Sequence, residues 1–374
     1  MKPSGIRRFF DLVLGAKDVV SLGVGEPDFS TPWKICNKAI ESIEEGYTSY
    51  TSNKGLPQLR KDIAVFLKKK YSLSYDPETE ILITAGVGQG LDIAMRAIVD
   101  PGDRIIVVNP SYVAYSAVVT LAGGQVIEYN TDAENDFKVQ PELLDEICKK
   151  YRPKAILFNY PCNPSGVTYK RSELSKILKV AIENDLLILS DEIYDLLSYD
   201  HEHTPLPLLK GAKERTLYFN GFSKGYAMTG WRIGYVCGPG ELIAQMTKIF
   251  GFVMLSAPIT GQFAACEALK SQKEASEMIK EYKRRRNFIV NALNEMGLET
   301  RMPHGAFYTF TSIRSTGMNA LDFAMDLLKK QKVAIVPGDA FGQRYSDYIR
   351  ISYASPYEDL KEAVVRIKAY LEQK

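Results

Sequence analysis

Three polar residues follow apolar segments of the sequence at regular intervals and could meet in one crevice. Asn163, Asp191 and Lys224 each stand at or just beyond the end of a strand-like run. Their spacing is close to the roughly 30 residues of a strand–helix–strand unit. Because open α/β sheets bind ligands beyond the carboxyl ends of their strands, this spacing predicts a shared site. A lysine partly desolvated there and close to Arg232 would have a lowered pKa, and its neutral amine could attack an aldehyde.

Asp191 and a second charged residue, Arg350, stand in or just after apolar runs. Asp191 comes after the run from Leu186 to Leu189, where an unpaired carboxylate would be costly to bury, so it needs a cationic partner. A helix N-cap is the alternative role for such an acid. Arg350 lies inside the strand-like Tyr348-Ile-Arg-Ile-Ser352, which is unusual unless the arginine meets an anion. Its guanidinium has the planar fork that binds a carboxylate.

A glycine-rich turn connects an apolar strand to an amphipathic helix between Ile81 and Ile98. Gly86, Gly88 and Gly90 fall where the helix would begin, so backbone N–H groups and the helix dipole could hold a phosphate. A dinucleotide-binding fingerprint would require glycine or alanine where Leu91 stands.

The segment from Asn220 to Gly234 carries a family resemblance. A small residue, an apolar residue, a small residue and Lys224 are followed after eight residues by Arg232, among closely spaced glycines. This pattern resembles the cofactor-lysine motif of the class I/II aminotransferases, which are pyridoxal-phosphate enzymes of fold type I. The resemblance implies that Lys224 forms a Schiff base with the cofactor and acts as general base, and that Arg232 clamps the phosphate.

The same resemblance implies roles for other positions. Cofactor-binding residues would be Tyr50, Val87, Gly88, Tyr112, Asn163, Asp191, Tyr194, Lys224 and Arg232, of which Asp191, Tyr194 and Lys224 are also catalytic. Substrate-binding residues would be Gly25, Asn163, Phe307 and Arg350. Tyr50 would reach the cofactor phosphate of the partner subunit, so a homodimer with shared active sites is expected. No metal site is expected.

Apolar strands alternate with helical stretches from about residue 80 to residue 240. This alternation predicts an α/β fold with a mostly parallel sheet covered by helices on both faces, and the resemblance implies the seven-stranded sheet of fold type I. We expect a large cofactor-binding domain at 45–270. A smaller α+β domain would combine 271–374 with 1–44, whose first thirty residues include a short helical pattern.

Composition narrows the class of protein. The 374 residues are 45% hydrophobic and carry a net charge of +2, so nucleic acid and anionic membranes are not expected partners. Five scattered cysteines, without a signal peptide or a long apolar run, predict a cytoplasmic protein with reduced thiols. The three histidines are too few and too separated for a histidine-based mechanism, and we expect them at the surface: His201, His203 and His304.

Taken together, the residues and the resemblance predict a pyridoxal-phosphate-dependent aminotransferase. The donor would be an L-amino acid of the aspartate, aromatic or acyl-diaminopimelate type, and the acceptor a 2-oxo acid such as 2-oxoglutarate. A C–S β-lyase on the same scaffold remains open, because Lys224 and Asp191 would serve both reactions. A nicotinamide-dependent reductase is disfavoured, since its glycine turn should precede the Tyr50-x-x-x-Lys54 pair rather than follow it. A ligand sensor would need an added DNA-binding domain, whereas this sequence opens directly on the catalytic-type domain.

Overall fold

A computed structural model describes residues 18–373 of the chain. The helical pattern expected before residue 18 lies outside the described residues, so its expected packing against the second domain stays a prediction. The first half of the described chain runs in the order β1 (Val20–Ser21), α1 (Trp33–Glu44), α2 (Pro57–Tyr71), β2 (Ile81–Thr84), α3 (Val87–Ile98), β3 (Arg104–Asn109), α4 (Ala114–Leu121), β4 (Gln125–Asn130), α5 (Pro141–Tyr151), β5 (Ala155–Asn159), α6 (Arg171–Glu183) and β6 (Leu187–Asp191). The second half continues with β7 (Thr216–Gly221), β8 (Gly234–Cys237), α7 (Gly240–Val253), α8 (Ile259–Ala268), α9 (Gln272–Glu295), β9 (Tyr308–Ser312), α10 (Ala320–Gln331), β10 (Val333–Ala334), β11 (Val336–Pro337), β12 (Tyr348–Ser352) and α11 (Tyr357–Leu371).

The central sheet has seven strands in the order β2-β8-β7-β6-β5-β3-β4. The five strands from β7 to β4 are parallel, and β8 runs antiparallel to both β7 and β2. The middle strands are buried along nearly their whole length, as apolar strands covered by helices on both faces should be. This confirms the predicted α/β fold with a mostly parallel seven-stranded sheet.

Strand register brings the polar ends of the central strands to one edge of the sheet. Asn159, the last residue of β5, pairs with Asp191, the last residue of β6, and Asp191 in turn pairs with Phe219 of β7. Since β7 ends at Gly221, Lys224 emerges just beyond the same edge. The crevice predicted from the spacing therefore has a structural basis.

Two smaller sheets are built mainly from strands that follow α9. Strands β11, β12 and β9 make an antiparallel sheet in which Arg350 of β12 lies between Val336 and Phe310. Strand β1 pairs with β10 in parallel, which joins the beginning of the described chain to this region. The division into domains at 45–270 and at 1–44 with 271–374 stays a prediction. Among residues 18–373, no helix combines the length and apolar character needed to cross a bilayer.

Candidate active site

A cavity of about 580 Å³ lies at the carboxyl edge of the central sheet. Polar side chains from distant parts of the chain line it together: Asn163, Asp191, Tyr194, Lys224, Arg232 and Arg350. Val87, Gly88, Tyr112 and Gly25 complete much of its wall. Most residues predicted to bind cofactor or substrate therefore share one pocket.

Lys224 lies in the connection between β7 and β8, residues 222–233, which we call the lysine loop. Its Nζ donates a hydrogen bond to the carbonyl oxygen of Gly25 at 2.6 Å. The pKa of Lys224 is lowered to about 8, chiefly by burial; the positive charges of Arg350 and Arg232 act in the same direction, and the negative charges of Glu26 and Asp191 oppose them. The sequence predicted the direction of this change from partial desolvation and from Arg232; both contribute, burial is the largest cause, and Arg350 is a cause that was not predicted. A sizeable fraction of the amine is therefore neutral near pH 8.

Asp191 forms the floor of the cavity at the end of β6. Its Oδ2 accepts a hydrogen bond from the Tyr115 hydroxyl at 2.7 Å, and its Oδ1 accepts one from the backbone N–H of Ile193 at 3.2 Å. Burial raises the pKa of Asp191 to about 6, although both hydrogen bonds oppose this rise. Within residues 18–373 no lysine, arginine or histidine forms an ion pair with Asp191. The carboxylate thus has room for a cation on the cavity side.

Tyr115 was not predicted as a site residue. It lies on α4, three residues after Tyr112, and the two rings meet edge to face with centroids 5.7 Å apart. Tyr112 itself lies before the first residue of α4, and the local sequence gives no signal that marks Tyr115 as a site residue. Both tyrosines line the cavity, and the Tyr115 hydroxyl also donates a hydrogen bond to Asp191.

One end of the cavity is built to hold an anion. Helix α3 begins at Val87 without a side-chain cap, after Gly86 with φ of 82°, so the N–H groups of its first turn lack helical acceptors. The Arg232 guanidinium closes the same end and donates to the carbonyl oxygens of Thr229 and Ala85 at 3.1 and 3.4 Å. A Cβ at Gly86 would lie 2.5 Å from Arg232 Nη2, whereas one at Gly88 would meet nothing within 4 Å. Glycine is therefore required at 86 and leaves free space at 88.

The other end of the cavity contains Arg350. Its Nη1 donates to Asn163 Oδ1 at 2.9 Å and its Nη2 to the carbonyl oxygen of Gly23 at 2.6 Å, while its buried Nε has no hydrogen-bond partner among the described residues. The guanidinium also lies over the rings of Tyr308 and Phe341, at 4.4 and 4.9 Å from their centroids. Across residues 18–373 no carboxylate forms an ion pair with it. A buried guanidinium of this kind can bind a carboxylate ligand.

Tyr308 belongs to the segment from Gly305 to Tyr308 that the sequence suggested as a wall near Arg350, although only Phe307 of that segment was predicted to bind substrate. Its hydroxyl shares a 2.8 Å hydrogen bond with that of Tyr194, and a Cβ at Gly25 would lie 2.9 Å from it. Gly25 is therefore needed for the close approach of its loop to Tyr308. Burial raises the pKa of Tyr194 well above its ordinary value, so its hydroxyl stays protonated. Tyr308 lines the cavity, whereas Phe307 is fully buried against Tyr194 with ring centroids 5.5 Å apart.

Tyr50 is placed apart from this cavity. Its side chain is 82% exposed in the single chain, and it does not line the pocket that contains Lys224. A role for Tyr50 in the cofactor site therefore requires a second subunit.

The expectation that all three histidines lie at the surface is wrong for His203. His203 is buried, stacks on Tyr160 with centroids 5.1 Å apart, and hydrogen-bonds through Nε2 to the fully buried carboxylate of Glu192. Glu192 also accepts hydrogen bonds from Ser190 Oγ at 2.6 Å and from the backbone N–H of Leu206 at 3.1 Å. The buried acid makes an interior position favourable for the imidazole. In the described part of the chain, no cluster of histidine, cysteine and acidic residues could hold a metal ion.

Comparison with known proteins matches this arrangement to a family. The family model for aminotransferase class I and II matches residues 17–367. The chain is 43% identical to the aspartate aminotransferase of Pyrococcus abyssi, covering 100% of this chain and 97% of that protein. It is 40% identical to aromatic-amino-acid aminotransferase 2 of Thermococcus litoralis, with the same coverage. The solved structure of the Thermus thermophilus aspartate aminotransferase with maleate has a TM-score of 0.93 and 36% identity, covering 99% of this chain and 97% of that one. The chain belongs to the class I and II aminotransferases.

Proposed function

We propose that this aminotransferase uses pyridoxal 5′-phosphate, held in the cavity by Lys224, Asp191 and Arg232. The observation that carries the proposal is that one cavity brings together an amine with pKa of about 8 and a buried carboxylate that forms no ion pair within residues 18–373. The residues present fit the group. The uncapped start of α3 and Arg232 suit its phosphate, Asp191 suits its ring nitrogen, and Lys224 suits its aldehyde.

The chain's own residues have distinct roles in the proposed reaction. When bound, the cofactor supplies an aldehyde that condenses with amines and a protonated ring that accepts an electron pair. Lys224 Nζ takes the proton from Cα of the substrate and returns it later in the turnover, because its lowered pKa leaves roughly a tenth of the amine neutral at pH 7. Asp191 holds a negative charge at the cavity floor, which keeps a facing ring nitrogen protonated.

The substrate carboxylate would bind to Arg350. Hydrogen bonds to Asn163 and Gly23 fix the guanidinium, and its buried Nε has no hydrogen-bond partner in the part of the chain that the structure describes. This prior positioning reduces the entropy cost of orienting the substrate. Asn163 and the protonated hydroxyl of Tyr194 would bond the phenolic oxygen of the cofactor, and Val87, Gly88 and Tyr112 would contact its phosphate and ring. We place Tyr308 beside Gly25 at the substrate end, next to the Phe307 proposed from the sequence.

For the substrates we propose an L-amino acid of the aspartate, aromatic or acyl-diaminopimelate type as donor and a 2-oxo acid, such as 2-oxoglutarate, as acceptor. The names of relatives support this range, since they are called aspartate, aromatic-amino-acid and N-acetyl-LL-diaminopimelate aminotransferases. A C–S β-lyase is not favoured, because these relatives and the matching family model are all aminotransferases.

Borohydride labelling tests the proposal directly. After incubation with pyridoxal phosphate and reduction, peptide mass analysis should find the cofactor attached to Lys224. Lys224→Ala should lose the label and the visible absorbance, whereas Lys176→Ala, which alters an exposed lysine on α6, should keep both. Attachment at another lysine, or transaminase activity in Lys224→Ala, would refute the mechanism. A panel of amino donors, scored by 2-oxo acid formation, then identifies the substrate.

We further propose a homodimer in which Tyr50 serves the partner's cofactor phosphate. Its exposure in the single chain supports this arrangement. Hybrid dimers of Lys224→Ala with Tyr50→Phe provide the test. If Tyr50 acts across the interface, half of the hybrid's sites contain both wild-type residues, and cofactor affinity at those sites should match the parent. Should Tyr50 act within its own chain, every hybrid site would carry a defect. We also propose a cytoplasmic location, supported by five cysteines that form no disulfide.

A further inference from the structure

The hydroxyl group of Thr31 contacts the lysine loop at two points. Thr31 lies between the Gly25 loop and helix α1. Its Oγ1 donates a hydrogen bond to the carbonyl oxygen of Ala227 at 2.6 Å and accepts one from Trp231 Nε1 at 2.9 Å. Ala227 follows Lys224 by three residues, and Trp231 directly precedes Arg232. One side chain therefore fixes a point next to each of the two cationic residues of the loop.

The loop needs such support because two of its non-glycine residues have unfavourable backbone conformations. Ala227 has φ of 52° and Arg232 has φ of 56°. L-residues adopt this region reluctantly, and they remain there when the surrounding structure holds them. Inside the loop, the turn from Lys224 O to Ala227 N is long, at 3.5 Å. Ala227 and Arg232 are therefore positions where an external anchor matters.

Thr31 is itself well anchored. Pro32 follows it and accepts hydrogen bonds from the backbone N–H groups of Ile35 and Cys36 at 2.9 and 3.2 Å, which starts helix α1. Helix α1 packs along α8. In α8, a Cβ at Gly261 would lie 2.8 Å from the side chain of Ile233, so α8 also presses on the end of the lysine loop. The position of Thr31 is thus set by a helix pair outside the loop.

Other contacts join the same two segments. Lys224 Nζ bonds to the Gly25 carbonyl at 2.6 Å, and Thr229 Oγ1 donates to Glu26 Oε2 at 2.9 Å. The Glu26 pair is exposed and would contribute little to rigidity. The Thr31 contacts are half-buried and have good hydrogen-bond geometry, so they are the stronger constraint.

We propose that Thr31 is a positioning residue that holds Lys224 and Arg232 in the geometry needed to bind the cofactor. This inference rests on the proposed function for its consequence, but the constraint on the loop exists without the cofactor. Removing the hydroxyl should free the loop near Ala227 and Trp231. Both the clamp on the phosphate and the direction of the Lys224 amine should then become less well defined, because Ala227 and Arg232 have backbone conformations that L-residues disfavour.

The test compares Thr31→Val, which keeps the branched shape, with Thr31→Ser, which keeps the hydroxyl. Both are made in a Trp33→Phe background, because Trp33 is 72% exposed and Trp231 is the other of the two tryptophans. In the cofactor-free protein, Thr31→Val should increase quenching of Trp231 fluorescence by acrylamide. In the same variant, pyridoxal phosphate should bind roughly tenfold more weakly. Thr31→Ser should stay within about twofold of the background protein in both measurements.

The outcomes separate this inference from the proposed function. Unchanged Trp231 quenching or unchanged cofactor affinity in Thr31→Val would overturn the role of Thr31. An equal loss in Thr31→Ser would also overturn it, since the hydroxyl would then not be the group that matters. If the background protein fails to bind pyridoxal phosphate, the proposed function fails instead, while the quenching comparison still tests the constraint on the loop.

Discussion

Replacement of Tyr115 by phenylalanine should make cofactor binding depend on pH in a way that the parent does not show. The Tyr115 hydroxyl is one of two donors to the buried carboxylate of Asp191, whose pKa is about 6. A hydrogen bond to a charged group contributes about 1.5–3 kcal/mol, and 1.36 kcal/mol corresponds to one pKa unit. Without the hydroxyl, we expect the pKa of Asp191 to rise to roughly 7–8 in the cofactor-free protein.

The consequence for binding follows from the fraction of Asp191 that is ionised. At pH 7 this fraction falls from about 90% in the parent to roughly 10–50% in the variant, so the apparent dissociation constant of pyridoxal phosphate should rise about two- to tenfold. At pH 9 Asp191 is ionised in both proteins, and the two dissociation constants should nearly coincide. Titration by absorbance at both pH values gives the ratio of the variant's dissociation constant to that of the parent. The pH dependence of Lys224 and of the phosphate is common to both proteins and cancels in this ratio. A ratio that is the same at pH 7 and pH 9, or equal to one at both, would refute the reasoning.

Three other substitutions test the charges and the space around the cavity. Lys224→Met should stabilise the cofactor-free protein by about 3 kcal/mol at pH 7 in urea unfolding, because the lysine pKa is lowered from 10.5 to about 8 and the folded state therefore disfavours the ammonium. This gain should fade between pH 8 and 10.5, and a gain that does not change with pH would contradict this cause. Gly88→Ala should raise the free energy of unfolding by about 0.5–1 kcal/mol, because a Cβ at this helical position has free space. Gly88→Ser should in addition tighten cofactor binding about two- to tenfold, and an unchanged affinity would show that the space at position 88 does not face the phosphate. Glu192→Gln should lower the free energy of unfolding by about 1–3 kcal/mol, because it weakens buried hydrogen bonds. Cofactor affinity, measured by the same titration, should stay within about threefold of the parent. An affinity loss as large as that of Asp191→Asn would assign Glu192 to the site.

The sequence predicted the fold well because the strands of the central sheet are short apolar runs bounded by polar residues. Such runs are buried on both faces, and their order along the chain leads directly to a mostly parallel sheet. The meeting of Asn163, Asp191 and Lys224 was predictable for the same reason, since residues at the carboxyl ends of parallel strands share one edge.

Contacts that depend on side-chain direction were not predictable in this way. Tyr115 reaches Asp191 across 76 residues of sequence, and nothing in the local pattern distinguishes it among 22 tyrosines. Phe307 and Tyr308 are adjacent, and which ring faces the cavity depends on the register of β9, where a shift of one residue exchanges the two faces. The burial of His203 depends on an acid eleven positions earlier in an irregular segment, which has no periodicity to read.

The adjacent acids Asp191 and Glu192 show how the structure resolves an ambiguity that the sequence leaves. Both carboxylates are buried at the end of β6, and each follows apolar residues, so burial alone marks either as a candidate. Glu192 accepts hydrogen bonds from Ser190, from the Leu206 backbone and from His203. The side chain of Asp191 accepts one hydrogen bond from the Tyr115 hydroxyl and one, at 3.2 Å, from a backbone N–H, and it faces a cavity. Because a buried carboxylate with few donors is stabilised by a cation more than one already surrounded by donors, Asp191 is the acid that gains most from a positively charged ligand.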